Sequence, residues 1–359
     1  MLLSLFLSSL FIATTSGYQC NVNQSIVYPP SDLSQPLFYP DGWTDRQGPP
    51  LLDPNQDCFI TVNIPNGYYA TVNFHKLYPD EFGSYVLYSN NKYALLDNND
   101  PDPYIFVFPR FKVSFSNGNT TQPSRFGFKV VYTPLPDAQK TVVPIIKGQP
   151  PVAIIANNNL TTFVGETNSM MSLMAFGLAE PQMEFLYRST AVFGGDSFND
   201  DFIGTLDLVL SSKTPLTTYG NKISVYTFGI SKFLNYPLFM GQDAADVRVV
   251  RKYYGANCKP NEDCTVNIDG SFGHAYIVTD YEGSEYVKGF DTFPSTATLN
   301  VYENNVSNTT RIATLTNDNY RSQMPLEVKG VMKFYELVGS GHFNMAVTRT
   351  APGASRLSF

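Results

Sequence analysis

The sequence predicts an all-β protein built from β-sandwich domains. Short apolar runs alternate with polar residues and are separated by Gly, Pro, Asn and Asp about every ten residues, as is typical of sandwich strands. One segment also returns later in the chain. Asp57–Phe74 and Asp263–Val278 both begin with Asp-Cys, share Thr-Val-Asn-Ile, break at a glycine and resume alternation. Such a repeat indicates that one domain plan is used twice.

Composition predicts more than one core and a polar, weakly charged surface. The chain has 359 residues, of which 43% are hydrophobic, 14% aromatic and 15% charged. This length exceeds what one core usually supports, so we expect two or three domains. The net charge of −7 argues against nucleic-acid binding and against adhesion to anionic membranes, because both need clustered Lys and Arg.

The N-terminus predicts export. Leu2–Ala13 carries no charge and is too short to span a bilayer, and Thr15-Ser16-Gly17 supplies small residues for cleavage, so we interpret residues 1–17 as a signal peptide. A buried N-terminal strand or helix is the alternative. No later run reaches the length of a spanning helix, and the polar tail 351–359 lacks a lipid-anchor pattern. We therefore expect a secreted, extracellular protein, free or held at a membrane surface.

Residues 18–135 are predicted to form the first sandwich. An irregular, Pro-rich start precedes a hairpin hinged at Pro65-Asn66-Gly67. In Phe111–Phe115, alternation places the two Phe and Val113 in the core, and Lys112 and Ser114 toward solvent. The predicted strands are Phe59–Ile64, Ala70–Phe74, Tyr85–Tyr88, Tyr104–Phe108, Phe111–Phe115 and Phe126–Tyr132.

The remaining chain is predicted to comprise a Pro-rich linker (136–151), a middle β region (152–255), a second sandwich (256–350) and a flexible tail (351–359). The Met-rich segment Ser169–Phe176 is interpreted as core rather than as a recognition stripe. In the second sandwich, we expect Val328–Tyr335 to correspond to Phe111–Phe115, and Gly341–Thr348 to Arg125–Tyr132. Further strand-like runs in the middle region are Phe185–Tyr187, Leu206–Leu210 and Ile223–Ile230.

Export makes the four cysteines candidates for disulfides, with three pairings open. We prefer Cys20 with Cys58 and Cys258 with Cys264, because each pair then lies at the start of one repeat. A zinc site is the alternative, although the spacing does not match the usual zinc motifs. The sequence also contains five N-glycosylation sequons, which agree with export: Asn23, Asn119, Asn159, Asn305 and Asn308.

Several of these segments resemble a known family. Cys58–Gly67, the strand ending at Phe74, Phe111–Ser116 and Phe126–Tyr132 together are similar to a CUB domain. With the signal peptide and the second copy, the chain resembles the nematode CUB-like domain protein family. The resemblance covers residues 20–135 and, more weakly, 256–350. It implies a secreted β-sandwich protein associated with responses to bacterial infection.

The resemblance also raises the question of calcium, which many CUB domains bind through carboxylates. Asp80 and Glu81 lie near the first such position, but Ser84 and Asn117 lie near the other two. Neutral side chains make a poor cage for a hard dication. The acidic segment Asp97–Asp102 lacks the Gly and distal Glu of an EF-hand loop and predicts a solvated turn. We therefore expect no metal and no cofactor.

The sequence predicts a protein that is not an enzyme. It contains no recognisable catalytic motif, and its three histidines, His75, His274 and His342, stand apart from residues that would recruit them. His75 is expected to face solvent.

Two functional hypotheses of different class follow. The first is recognition or adhesion in innate immune defence, with an extracellular protein or glycan as partner, such as a bacterial surface. Its candidate contact residues are Tyr68, Tyr69, Tyr85, Tyr88, Tyr253 and Tyr254, although packing in the core is the alternative for most of them. The second hypothesis is a structural or scaffolding extracellular glycoprotein.

Overall fold

The structure, a computed structural model, describes residues 17–20, 25–77, 84–89, 92–96, 102–117, 124–259, 262–271, 273–351 and 353. The predicted signal peptide therefore lies outside the described residues, apart from Gly17. The chain divides into two compact units, an N-terminal unit (Met1–Thr133) and a C-terminal unit (Pro134–Phe359). Both consist mainly of β-strands, which confirms the predicted all-β class.

The N-terminal unit is a sandwich of two five-stranded sheets. Its described strands are β1 Ser25–Val27, β2 Leu37–Tyr39, β3 Leu51–Leu52, β4 Asp57–Asn63, β5 Tyr68–Leu77, β6 Ser84–Ser89, β7 Lys92–Leu95, β8 Tyr104–Val107, β9 Arg110–Ser116 and β10 Ser124–Pro134. One sheet has the order β1-β4-β9-β6-β7, and the other has β2-β10-β5-β8 with β3 beside β10. All six strands predicted in this region are present, with small shifts at their ends.

The turn at Pro65-Asn66-Gly67 forms, but the predicted hairpin does not. Gly67 has a φ of 79°, which favours glycine, and the Tyr68 amide donates to the Pro65 carbonyl at 3.2 Å. The strands on either side, β4 and β5, lie in different sheets. Ile60 and Val72 are both fully buried in the same core. The turn therefore carries the chain across the sandwich, so that both strands fill that core from opposite sides.

The alternation predicted in β9 is confirmed. Phe111, Val113 and Phe115 are at most 1% exposed, whereas Lys112 and Ser114 are half-buried on the other face. The Phe111 ring packs in parallel with a neighbouring Phe ring at a centroid distance of 4.3 Å. Aromatic side chains thus provide much of the apolar area that holds the two sheets together.

The C-terminal unit contains the remaining strands and the one described α-helix, α1 Leu206–Ser212. Short 3₁₀ helices span Pro181–Ser189, Ile230–Lys232, Ala244–Asp246 and Tyr320–Gln323. The strands are β11 Lys140–Pro144, β12 Val152–Ile155, β13 Leu160–Val164, β14 Met171–Gly177, β15 Ala191–Phe193, β16 Phe202–Gly204, β17 Leu216–Thr217, β18 Lys222–Tyr226, β19 Pro237–Asp243, β20 Lys252–Ala256, β21 Asp263–Asp269, β22 Ala275–Asp280, β23 Glu285–Phe290, β24 Thr298–Glu303, β25 Arg311–Leu315, β26 Leu326–Val328, β27 Met332–Val338 and β28 His342–Thr348.

A nine-stranded sheet runs through the C-terminal unit and joins two regions that we predicted to be separate. Its order is β12-β19-β14-β20-β22-β27-β24-β25, with β17 beside β14. The predicted boundary between residues 255 and 256 falls inside β20. The predicted linker 136–151 is also wrong, because β11 within it pairs in parallel with β13 and Ile145 is buried in the core. Prolines at the ends of β11 and β12 led to the linker interpretation.

The strands β21 to β28 form a jelly roll. One sheet has the order β21-β28-β23-β26 and faces the β22-β27-β24-β25 part of the nine-stranded sheet, which is the strand order of a double-sheet jelly roll. The repeated segments β4–β5 and β21–β22 each cross between two sheets. However, β4 pairs with β9, whereas β21 pairs with the last strand, β28. The predicted correspondence of Val328–Tyr335 with Phe111–Phe115 is therefore wrong. The segment that pairs with β21, as Phe111–Phe115 pairs with β4, is Gly341–Thr348.

Two predicted strands of the middle region are helical. Phe185–Tyr187 lies in the 3₁₀ helix Pro181–Ser189, and Leu206–Leu210 lies in α1. The side chain of Thr205 caps α1 by accepting from the Leu208 amide at 3.3 Å, and the buried residues are spaced three apart, which is helical spacing. The core interpretation of Ser169–Phe176 is confirmed, because Met171 and Met174 are fully buried in β14.

Candidate functional site

A cleft lies on the face of the nine-stranded sheet that points away from the jelly-roll core. Its cavity volume is about 120 Å³. The floor consists of buried aromatic side chains on adjacent strands, and the rim consists of polar and small residues from three loops. The lining residues are Gly148, Gln149, Pro151, Gln242, Asp246, Val247, Tyr253, Tyr276, Asn305, Val306 and Phe334. The lining carries one carboxylate and no cationic side chain.

A short turn presents the carboxylate at the rim. Asp243 at the end of β19 caps the 3₁₀ helix Ala244–Asp246 by accepting from the Ala245 amide at 2.8 Å, and it also accepts from the Ser169 hydroxyl at 2.6 Å. Asp246 in turn accepts from the Gly148 amide at 2.9 Å. Gly148 has a φ of 73°, which a larger residue would rarely adopt. Partial burial raises the pKa of Asp246, although the Gly148 bond opposes this shift.

Gln242 supplies the buried polar group of the cleft. Its side chain is part of β19 and only 4% exposed, and Oε1 accepts from the Tyr253 hydroxyl at 3.3 Å. The other end of the amide, Nε2, has no hydrogen-bond partner among the described residues. A buried N–H group without a partner costs about 1–3 kcal/mol. Gln242 is one of the residues that line the cleft, so this unpaired donor lies next to it.

A row of polar side chains continues from the cleft across the sheet. Strand register places Tyr253, Tyr276, Glu336, Asn300 and Thr314 as successive cross-strand neighbours on five adjacent strands. Tyr276 and Asn300 each donate to Glu336 at 2.9 Å, and Thr314 donates to the Asn300 side chain at 2.9 Å. The row thus anchors the ring of Tyr276 through its hydroxyl group.

Glu336 is the centre of this row. It is 6% exposed and also accepts from the Tyr302 hydroxyl, while His274 Nε2 lies 2.8 Å from its Oε1. Burial alone would raise the pKa of this carboxyl, but the hydrogen bonds from Tyr302, Asn300 and Tyr276 outweigh burial and lower it. Glu336 is therefore held as a carboxylate.

The predicted contact tyrosines do not form a common surface. Tyr253 is 1% exposed and belongs to the sheet core, where its ring meets that of Tyr276 edge-on at 5.7 Å. Tyr254 is half-buried beneath the ammonium group of Lys213, which lies 5.0 Å from its ring centroid. Tyr68 is half-buried against the core of the N-terminal unit. Tyr69 is also half-buried, and the side chains of Tyr85 and Tyr88 lie outside the described residues.

Two of the three histidines have ring or ion-pair neighbours. His75, predicted to face solvent, is half-buried with its ring 5.1 Å from that of Trp43, and this burial lowers its pKa. His274 contacts Glu336, as described above. His342 is exposed at the start of β28. Sequence inspection missed the His274–Glu336 pair because the two residues lie on different strands, far apart in the chain.

The calcium positions are covered only in part. Asp80, Glu81 and most of Asp97–Asp102 lie outside the described residues, as does the side chain of Ser84. The Asn117 side chain is fully engaged with a neighbouring loop: its Oδ1 accepts from the Gln56 amide and its Nδ2 donates to the Asp53 carbonyl, both at 2.7 Å. Among the described residues, no group of three or more His, Cys, Asp and Glu side chains is placed to hold a metal ion.

The disulfides have the pairing preferred from sequence. Cys20 is joined to Cys58 and Cys258 to Cys264. The second bridge lies beside a buried ion pair, in which Arg349 Nε donates to Glu285 at 3.1 Å and Nη1 donates to the Cys258 carbonyl. This arrangement fastens the end of β28 to the start of β21, which is a structural role.

The described sequons differ in environment. Asn308 is exposed, and Asn159 is half-buried with its amide donating to the Thr141 hydroxyl at 2.9 Å. Asn305 lies at the rim of the cleft. Asn23 and Asn119 are outside the described residues. A glycan on Asn305 would therefore stand beside the cleft opening.

The N-terminal unit coincides with a match to a protein family. Residues 15–136 match the family described as CUB-like domain. This part of the chain therefore resembles a CUB-like domain. Residues 245–350 match a separate family, described as a domain of unknown function (DUF7591), and not a second CUB-like copy. No curated protein sequence matches the chain.

Three solved structures also show similarity, at low scores. The CUB1-EGF-CUB2 domains of rat MASP-1 share 8% identity with a TM-score of 0.24, covering 61% of this chain and 99% of that one. The same region of human MASP-1/3 shares 9% identity with a TM-score of 0.23, covering 58% and 97%. The extracellular region of zebrafish Gpr126/Adgrg6 shares 9% identity with a TM-score of 0.25, covering 93% and 53%. At these scores no functional conclusion follows. Among the described residues, no helix is long and apolar enough to cross a membrane.

Proposed function

We propose that this protein is a secreted, non-enzymatic recognition protein that binds an extracellular ligand in defence against bacteria. The observation that carries the proposal is the cleft of the C-terminal unit. It combines an aromatic floor with a buried amide donor, Gln242 Nε2, and a rim carboxylate, Asp246. Sites that bind small molecules typically have this mixture of apolar surface and a few directed polar groups.

Export is supported by the two disulfides, because such bonds persist in oxidising compartments. The CUB-like domain over residues 15–136 supports a role outside the cell, and the resemblance to infection-response proteins supports defence. The five sequons agree with passage through the secretory pathway.

The buried carboxylate of Glu336 supports a non-catalytic role. Three side chains donate to it, so its lone pairs are used in holding the sheet. A general base or nucleophile needs a lone pair directed at a substrate. We therefore assign Glu336 a structural role and expect no hydrolysis of bound ligand.

Binding of the purified full chain to bacterial cells tests the proposal. We expect saturable co-sedimentation with at least one class of cells, and competition by extracts of the same cell envelopes. Absence of binding to every Gram-positive and Gram-negative cell type tested would overturn the defence role. Stable recovery of the protein in a detergent-resistant matrix fraction, without cell binding, would favour the scaffolding alternative.

A further inference from the structure

We infer that the cleft of the C-terminal unit binds a single neutral sugar ring, with Gln242 donating at the floor and Asp246 accepting at the rim. This inference rests on the proposed recognition function and names the class of ligand.

The size of the cleft sets the first limit on the ligand. A volume of about 120 Å³ is slightly smaller than the roughly 150 Å³ cavity known to hold a benzene molecule in an engineered protein. The cleft therefore admits one six-membered ring, part of which remains in the opening. It is too small for an extended peptide or a nucleotide.

The polar groups set the second limit. Gln242 Nε2 is a buried donor without a partner among the described residues, and a ligand group that accepts a hydrogen bond would supply one. Asp246 is exposed and accepts from one backbone amide, so it has lone pairs left for a donor on the ligand. A hydroxyl group does both. An ammonium group only donates, and a carboxylate or phosphate group only accepts.

The orientation of the Gln242 amide does not change this conclusion. Oxygen and nitrogen of an amide are assigned from their neighbours, and the Tyr253 hydroxyl could pair with either. If the amide were reversed, the group facing the cleft would be an acceptor, and a hydroxyl would still satisfy it. Reversal would leave ammonium as a competitor, so a cationic probe is needed in the test.

Charge sets the third limit. The lining contains the carboxylate of Asp246 and no Lys, Arg or His. An acidic sugar would have to enter beside this carboxylate, and Lys147, whose charge acts on Asp246, does not line the cleft, so the approach is unfavourable in a partly desolvated site. The rings of Tyr253, Tyr276 and Phe334 supply the apolar surface on which the C–H face of a sugar can rest.

Titration with single sugars tests the inference. The full chain is produced in a bacterial periplasm, where disulfides form and Asn305 stays free of a glycan that would stand at the cleft opening. The probes are N-acetylglucosamine, galactose and mannose, together with N-acetylneuraminic acid, glucuronic acid and cyclohexylammonium, a six-membered ring that carries a primary ammonium group and no hydroxyl. We expect at least one neutral sugar to perturb the NMR signals of cleft residues, and the acidic sugars and cyclohexylammonium to bind more weakly.

Two variants locate the binding. Gln242→Leu removes the floor donor, and Asp246→Asn removes the rim charge from an exposed residue, so the second variant is expected to fold even if the first does not. Gln242→Leu loses one hydrogen bond and Asp246→Asn replaces a charged acceptor by a weaker neutral one, and each change should weaken binding about threefold to tenfold. Asp318→Asn, an exposed residue outside the cleft, is the matched control and should bind as the wild type does.

The outcomes separate this inference from the proposed function. The inference is overturned if no neutral sugar binds, if cyclohexylammonium or an acidic sugar binds best, or if Asp246→Asn leaves sugar binding unchanged. If bacterial cells are still bound in that case, the recognition function stands with another site. If neutral sugars bind in the cleft but no cell type is bound, the sugar site stands and the defence role fails.

Discussion

The row centred on Glu336 gives a direct test of how the nine-stranded sheet is held together. The carboxylate is 6% exposed and accepts from Tyr276, Asn300 and Tyr302. Glu336→Gln keeps the shape of the side chain but removes its charge and adds an N–H group facing neighbours that also donate. Hydrogen bonds to a charged group contribute about 1.5–3 kcal/mol, and those to a neutral group about 0.5–1.5.

Relief of the desolvation cost of the carboxylate offsets part of this loss, so we expect a net destabilisation of about 1–3 kcal/mol. For a unit of this size, each kcal/mol shifts the melting temperature by roughly 2–4 °C. Urea unfolding of the full chain, followed by tyrosine fluorescence, measures the change. The matched control is Glu282→Gln, because Glu282 is exposed and should tolerate the change within about 0.5 kcal/mol.

The effect should depend on pH with a definite sign. Folding lowers the pKa of the Glu336 carboxyl from its usual 4.5. The stability that the carboxylate adds is therefore present above pH 4.5 and is lost as the pH falls through the lower pKa of the folded state. The difference between wild type and Glu336→Gln should therefore be largest near neutral pH and shrink in acid. If wild type and Glu336→Gln unfolded at the same urea concentration at neutral pH, the carboxylate would not stabilise the sheet as we assign.

Other substitutions test the cores and the cross-links. Replacing Cys20 and Cys58 together by Ser opens a bridge across a sequence separation of 38, and the chain-entropy model predicts a loss of about 4 kcal/mol in urea unfolding. Phe111→Ala removes a fully buried ring and should cost about 3–5 kcal/mol, whereas Tyr28→Ala, at a residue 68% exposed, should cost under about 0.5 kcal/mol. Gly241→Ala places a methyl group against a buried Phe ring and should lower the thermal midpoint by the equivalent of about 1–3 kcal/mol. Similar losses for Phe111→Ala and Tyr28→Ala would contradict the burial described for this core.

The strands of the N-terminal unit could be predicted because their evidence is local. Phe111–Phe115 alternates with a period of two, and the structure buries the predicted face. The turn at Gly67 is also local, since it depends on one residue that adopts a positive φ. Which strands pair across that turn is not local, and the same short turn can join two paired strands or two sheets. The hairpin prediction failed at this step.

The C-terminal unit shows a second reason for failure. In Leu206–Leu210 the leucines alternate, as in a strand, but the Thr205 cap and the buried pair Leu206 and Val209 fit a helix. Both patterns are present in the same five residues, and tertiary packing decides between them. Likewise, the prolines near β11 suggested a linker, although parallel pairing with β13 makes this segment part of a sheet.

The candidate site could not be predicted from any single stretch of sequence. The cleft draws on a loop at 148–151, the end of β19, two central strands and the loop at 305–306. Glu336 gives a local signal, as Lys333 does, because a charged residue within the otherwise apolar run Met332–Val338 must find partners when buried. The identity of those partners depends on strand register, which the alternation of one strand does not determine.

The position of the cleft follows from the difference between the two faces of the nine-stranded sheet. One face closes the jelly-roll core with apolar side chains such as Tyr335 and Leu337, so a ligand has no access there. On the other face, Tyr276 lines the cleft and donates to Glu336, which ties the shape of the cleft floor to the polar row. Weakening that row should therefore loosen the Tyr276 ring in the cleft floor. The repeated strands build the sandwich, while the loops at 148–151 and 305–306, which lie outside the repeat, form part of the rim of the cleft.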